Sequence, residues 1–265
     1  MTAISLSHLR AHREAGTKFS MVTAYDSCFA EVASAAGIDC LLVGDSLGMV
    51  LQGHDSTLPV TVQDMAYHTR CVASAKPASF VIADMPFMAA ATIDIAMQAA
   101  QTLMQQGAQM IKLEGSMHLT ELIRRYRDQG VPTCCHLGLT PQFVNQFGGY
   151  KVQGRDQRTA DQMVEAAIAL QTAGADMLLL ECVPNALTTR IMEATTVPVV
   201  GIGAGPEPTG QVLVMHDLLG ITPGKPARFV KNFLDGQSSI QAALRAYDQA
   251  VKDGHFPAQA HCFAE

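Results

Sequence analysis

The stretch AGADMLLLEC (173–182) decides the fold. A helical pattern runs up to Gly174, where a positive φ can end a helix without steric cost. An unalternating apolar run follows, and it closes on an acid, Glu181. AGIDCLLVGD (36–45) and QGAQMIKLEG (106–115) repeat the same order of glycine stop, apolar run and acid. Strands without alternation are buried on both faces, which is the condition of a parallel sheet. Similar runs fit at 20–23, 80–83, 133–136, 199–202 and 212–215, making eight expected strands. Helices are expected near 26–36, 61–75, 92–106, 118–129, 159–173 and 185–195, with two more at 228–235 and 238–253. Asp26 reads as the cap of the first of these, and Thr61 with Asp64 and Thr159 with Gln162 resemble capping boxes.

Eight strand–helix units in a chain of 265 residues have the rhythm of a closed (βα)8 TIM barrel, which needs about 250. A doubly wound sheet would show a glycine-rich phosphate turn after its first strand, and none stands there. The chain is therefore read as one α/β barrel domain over 1–265. Ile202 and Val212 are too close for a full helix between them, so the seventh unit is expected to be abbreviated. An extra N-terminal helix over 4–15 is expected to cap the barrel bottom or to contact a neighbour. GGYKVQGR (148–155) reads as a mobile loop beside a site and GHDSTLPVT (53–61) as a lid or substrate loop.

Composition narrows the function. Hydrophobic residues make up 48% and charged residues 16%, which excludes a disordered chain. Acidic residues outnumber basic ones 24 to 18, and the largest basic group is Arg124, Arg125 and Arg127, read as an exposed helix face. No nucleic-acid partner is expected from that charge pattern. No run of about 18 apolar residues is present, so no membrane partner is expected either. The seven cysteines are scattered and lack C-x-x-C spacing, consistent with small buried residues in a cytoplasmic protein. His8 and His12 have metal-pair spacing without a third ligand nearby and are read as a solvated helix face.

Active sites of such barrels lie at the carboxyl ends of the strands. Asp45, Asp84, Glu114 and Glu181 each close an apolar run, and His136 ends the fifth strand. Any one acid there could cap a helix, but Glu is a poor cap and four caps are less economical than a site. Converging carboxylates repel one another unless they share a cation, and without a His/Cys cluster a hard divalent ion, Mg²⁺, is the natural choice. Lys112 lies two residues before Glu114 and so on the same sheet face, suited either to an anionic substrate or to balancing the acids. Glu181, outside the metal cluster, suits a general base. GIGAG (201–205) reads either as a phosphate loop or as a tight turn into the seventh unit.

The strings VGDSLGMVLQGHDSTLPVT (43–61), ADMPFM (83–88), KLEG (112–115), HLGLTPQ (136–142), FGGYKVQGR (147–155), LLECVP (179–184), GIGAG (201–205) and LVMHD (213–217) occur in this order. Together they resemble the ketopantoate hydroxymethyltransferase family over roughly 4–263. Ser116 after KLEG and the PEP segment (206–208) depart from the family pattern at loop positions. The resemblance implies hydroxymethyl transfer from 5,10-methylenetetrahydrofolate to 3-methyl-2-oxobutanoate in pantothenate synthesis, one Mg²⁺ per subunit, and a homodecamer. It implies Asp45 and Asp84 as metal ligands that also meet the substrate, and Glu114 as the third acid of the metal site. Ser46 and Lys112 are implied to hold the 2-oxo acid, with His136 lining the same pocket, and Glu181 to accept the proton.

Two other readings stay open at this point. A Mg²⁺-dependent carbon–carbon lyase or mutase of the phosphoenolpyruvate mutase and isocitrate lyase type shares the expected barrel, although the Lys-Lys-Cys-Gly-His motif of isocitrate lyases is absent. A non-catalytic barrel that sequesters a ligand is the other.

Overall fold

The computed structural model describes residues 3–263, and in it eight parallel strands close into a barrel in chain order. They are β1 (Phe19–Thr23), β2 (Cys40–Val43), β3 (Phe80–Asp84), β4 (Met110–Glu114), β5 (Thr133–Gly138), β6 (Met177–Glu181), β7 (Val199–Ile202) and β8 (Gly210–Leu213). The helices in chain order are α1 (Leu6–Ala15), α2 (Ser27–Ala36), α3 (Leu47–Val50), α4 (Val62–Ser74), α5 (Ile93–Gln105), α6 (Thr120–Asp128), α7 (Val144–Phe147), α8 (Gln157–Ala173), α9 (Asn185–Ala194), α10 (Met215–Leu218) and α11 (Ile240–Lys252). β1 pairs with β8 in register from Phe19 opposite Gly210, which closes the ring. Tyr247 of α11 pins that seam: its hydroxyl lies 2.9 Å from the carbonyl of Met21 and 2.8 Å from that of Gln211.

Local chemistry explains where the helices begin and end. Asp26 accepts from the Phe29 amide at the start of α2, and Thr61 and Asp64 form a reciprocal capping box on α4. Gly37, Gly107 and Gly174 take φ of +102°, +108° and +120°, so all three glycine stops stand as expected. At the barrel bottom, Leu9 of α1 is fully buried and the Arg10 guanidinium donates to Asp176 at 2.6 Å, ahead of β6. The Arg13 guanidinium donates to the carbonyls of Met192, in the last turn of α9, and Thr195, just after it. α1 therefore caps the bottom. His8 Nδ1 accepts from the Ser5 amide and His12 Nδ1 pairs with the Thr17 hydroxyl, local structural roles rather than ligation.

Several expectations need correction. No helix forms at 228–235, because Phe233 turns inward onto Tyr247 and Phe256 while the Asn232 side chain accepts from the Leu234 amide. Such a local side-chain turn competes with the helical hydrogen bond. β8 starts at Gly210, two residues before the apolar run, since only glycine fits against Phe19: a Cβ there would lie 2.5 Å from the ring. α8 begins at Gln157, with Asp156 rather than Thr159 as its cap. The seventh unit is abbreviated as expected, with no helix over 203–209. Of the cysteines, Cys40, Cys134, Cys135, Cys182 and Cys262 are buried, and all seven are free thiols. Arg124, Arg125 and Arg127 stand on the exposed face of α6. Among the described residues no helix is long and apolar enough to cross a membrane.

The upper rim is tightly built at Gly138, opposite Glu181 in the β5–β6 register. Gly138 takes φ +93°, and a Cβ there would lie 2.3 Å from the carbonyl oxygen of Glu181. We expect Gly138→Ala to lower stability by about 2 kcal/mol or more, from the left-handed conformation together with that clash. Urea denaturation measures it, and an unchanged midpoint would contradict the packing described.

Candidate active site

The parallel strands deliver their carboxyl ends to one mouth, and the expected residues meet there. Asp45, Ser46, Asp84, Lys112, Glu114, His136 and Glu181 all line one cavity of about 540 Å³. Lys112 and Glu114 share a face of β4 because side chains alternate along a strand, and both are buried. Asp84 lies directly opposite Lys112 in the β3–β4 register, and Glu114 opposite His136 in β4–β5.

Lys112 Nζ donates to Asp84 Oδ1 at 2.6 Å and stands 3.8 Å from Glu114 Oε1. Asp84 Oδ2 accepts the Asp45 amide at 3.0 Å. Gln142, in the turn after β5, ties the acids together. Its side-chain amide donates to Asp45 Oδ2 at 2.8 Å and its backbone amide to Glu114 Oε2 at 2.9 Å. Sequence reasoning missed its role, since an amide in a loop carries no signal of which carboxylates it will meet. Ser46 Oγ pairs with the Tyr25 hydroxyl at 2.9 Å. Gly44 makes room for this arrangement, because a Cβ there would lie 2.7 Å from Ser46 Oγ.

The floor is electrostatically unbalanced: three buried acids face one lysine. Burial pushes the Asp45 carboxyl well above its ordinary range, and Asp84 and Glu114 push it further. Burial raises Glu114 to about 7 against the opposing pull of Lys112 and the Gln142 amide. Burial alone would lower the Lys112 ammonium, but Asp84, Glu114 and Asp45 outweigh it and hold the group charged. His136 is fully enclosed between two acids, with Nδ1 3.4 Å from Glu114 Oε1 and Nε2 3.4 Å from Glu181 Oε2. Neither ring nitrogen makes an aligned hydrogen bond among the described residues. Burial and then Lys112 lower its pKa, so the imidazole is neutral. Glu181 is more open than the floor acids, with its side chain 16% exposed.

Among the described residues no three or more His, Cys, Asp or Glu side chains are arranged as a ready-made metal cage. The donor set nevertheless suits magnesium, which takes one or two carboxylates and completes its shell with substrate oxygens and water. A divalent cation would also reverse the upward pressure on the Asp45 and Glu114 carboxyls. The loop expectations at 53–61 and 148–155 are met in position. Thr57 of the first and Tyr150, Lys151 and Val152 of the second line the cavity, and the Tyr150 hydroxyl reaches Met49 Sδ at 3.7 Å across the mouth. GIGAG serves as a turn: Gly203 and Gly205 take φ of +59° and +77°, and Gly203 is covered by Phe229 and Phe263.

Residues 3–259 match the model of the ketopantoate hydroxymethyltransferase family. The chain is 56% identical to 3-methyl-2-oxobutanoate hydroxymethyltransferase of Chromohalobacter salexigens, covering 99% of this chain and 100% of that one. It is 55% identical to the enzyme of the same name from Marinobacter nauticus, covering 98% and 99%. Among solved structures, a phosphonopyruvate hydrolase in complex with oxalate and Mg²⁺ superposes with a TM-score of 0.61 at 16% identity, covering 98% of this chain and 93% of that one. At that identity the likeness is one of fold.

The charge imbalance predicts a pH signature in the cation-free protein. Folded Glu114 keeps its proton up to about 7 rather than 4.5, so the folded state binds more protons than the unfolded chain between these values. Its contribution to stability therefore declines as pH rises through that window. Denaturation in EDTA should show the stability of the native protein, minus that of Glu114→Gln, falling from pH 4.5 to 7. A difference that rises with pH would refute the raised carboxyl.

Proposed function

The chain belongs to the ketopantoate hydroxymethyltransferase family, and from that premise we propose that it transfers a hydroxymethyl group from 5,10-methylenetetrahydrofolate to 3-methyl-2-oxobutanoate, giving 2-dehydropantoate for pantothenate synthesis. The observation that carries this reading is the buried floor of Asp45, Asp84, Glu114 and Lys112, overlooked by the more open carboxylate of Glu181.

Asp45 and Asp84 would hold one Mg²⁺ per subunit, with Glu114 as the third acid around it. Bound there, the ion supplies Lewis acidity that stabilises negative charge on the keto oxygen of a 2-oxo acid. Lys112 adds a fixed positive charge beside the substrate carboxylate, and the Ser46 hydroxyl, already oriented by Tyr25, supplies a hydrogen bond. Glu181 takes the C3 proton, leaving a carbanion that attacks the one-carbon unit given up by the folate, while water provides the hydroxyl oxygen. His136, a neutral imidazole 3.4 Å from Glu181, lines the same pocket.

The lyase or mutase reading rests on likeness of fold alone, whereas the hydroxymethyltransferase relatives match at more than half of all positions over nearly the whole chain. A homodecamer in the cytoplasm, with small-molecule partners only, forms part of the same proposal.

The deciding assay follows folate-dependent conversion of 3-methyl-2-oxobutanoate to 2-dehydropantoate with and without EDTA. Conversion that needs both the folate and the cation is expected, and conversion indifferent to either would refute the corresponding part. Glu181→Gln should slow exchange of the C3 proton with solvent at least about 100-fold while 2-oxo acid binding persists. Unimpaired exchange would remove Glu181 as the base.

A further inference from the structure

The floor of the cavity accounts for the small 2-oxo acid but leaves the outer part unassigned. At about 540 Å³ the cavity is in the range of sites for drug-sized molecules, roughly 300–1,000 Å³, and exceeds what a five-carbon acid fills. The outer wall differs in chemistry from the floor. Phe229 and Phe263 stand side by side over the end of β7, both rings 2.9 Å from where a Cβ on Gly203 would be. Asp217, at the end of the LVMHD motif, lines the same space and is half-buried. Its Oδ1 accepts the Thr222 hydroxyl at 2.6 Å, and among the described residues its Oδ2 accepts no hydrogen bond. Lys151 and Lys225 stand exposed at the rim.

An acid in this position repels the 2-oxo acid that Lys112 attracts, so its natural partner is a donor edge rather than an anion. A reduced pterin presents such an edge, with its N3–H and 2-amino group side by side to match the two oxygens of a carboxylate, as the fork of a guanidinium does. Its flat ring system suits the aromatic pair. The glutamate tail of the carrier is anionic and suits the rim lysines. We infer that the outer cavity is the seat of the pterin one-carbon carrier, with Asp217 gripping the amidine edge of the ring, Phe229 and Phe263 packing on it, and Lys151 and Lys225 meeting the carboxylates of the tail. This rests on the folate-dependent reading above and goes beyond it by assigning the residues that bind the second substrate.

The test titrates tetrahydrofolate into the full-length protein with Mg²⁺ and 3-methyl-2-oxobutanoate present, and separately measures C3 proton exchange without folate. Asp217→Asn, which keeps an acceptor for Thr222, should weaken tetrahydrofolate binding about tenfold or more. The KM of the 2-oxo acid in the exchange reaction should move less than about twofold. Unchanged tetrahydrofolate affinity in this variant would overturn the assignment, as would an equal loss of both functions in a folded protein. Should Asp217→Asn fail to fold, Phe229→Ala decides in the same way: weakened tetrahydrofolate binding with exchange retained supports the seat, and unchanged binding overturns it. Native protein that exchanges the proton yet binds no tetrahydrofolate would instead refute the folate reading itself, a result distinct from a misplaced seat.

Discussion

Three carboxylates and one ammonium, all buried at one end of a parallel barrel, set the terms for everything around them. The barrel forces this meeting. Parallel closure sends every strand's carboxyl end to the same rim, and alternation along β4 turns Lys112 and Glu114 to the same side. Like charges in a low-dielectric setting cannot all ionise without a counter-charge. The Lys112–Asp84 pair, the Gln142 amide and the Asp45 amide are what the protein itself provides. They leave an excess of negative charge, which is a binding potential for a cation and not a contribution to stability.

Such a rim has to be held by something else. The opposite end carries a satisfied ionic network in which Lys252 lies 3.0 Å from Asp39 and 2.8 Å from Asp248, and the Ser20 hydroxyl donates to Asp248 at 2.6 Å. With α1 clamped beneath and Tyr247 across the β1–β8 seam, the bottom of the barrel is tied together by side-chain hydrogen bonds to backbone carbonyls. The top carries backbone strain beside the site. Cys182, the residue after Glu181, takes φ +48°, a conformation that non-glycine residues occupy at a cost of order 1–3 kcal/mol. The Cys182 amide donates to Ile202 and its carbonyl accepts from Gln153, so both neighbouring segments hold it there. The backbone that carries Glu181 is thus fixed from each side, with Gly138 packed against its carbonyl.

The strand ends were legible because they join two independent signals, an unbroken apolar run and a charge at its end. That combination identified Asp45, Asp84, Glu114 and Glu181, and alternation added Lys112. The roles of Gln142 and Tyr25 were not legible, because each acts through a partner on another strand or loop, and nothing in the spacing of one segment reveals which segment will lie beside it. His136 was legible as a pocket residue, while its enclosure between two acids became visible only through the β4–β5 and β5–β6 registers.

The sharpest failures of sequence reasoning fall in the last quarter of the chain, and they share a cause. RFVKNFLD (228–235) has helical periodicity, yet its two phenylalanines face different environments: Phe233 enters the core beside Tyr247, whereas Phe229 lines the cavity. A regular helix puts residues four apart on one face and cannot serve both. The early start of β8 at Gly210 has the same origin, since glycine and a buried glutamine, with its side-chain amide on the Gly205 carbonyl, replace the apolar residues that usually mark a strand. With no helix in the seventh unit, the rim above β7 would stand open to solvent, and the irregular segment fills that gap with Phe229. Local rules give way where one stretch must close the core and furnish the cavity wall together, and that conflict is itself a mark of a functional surface.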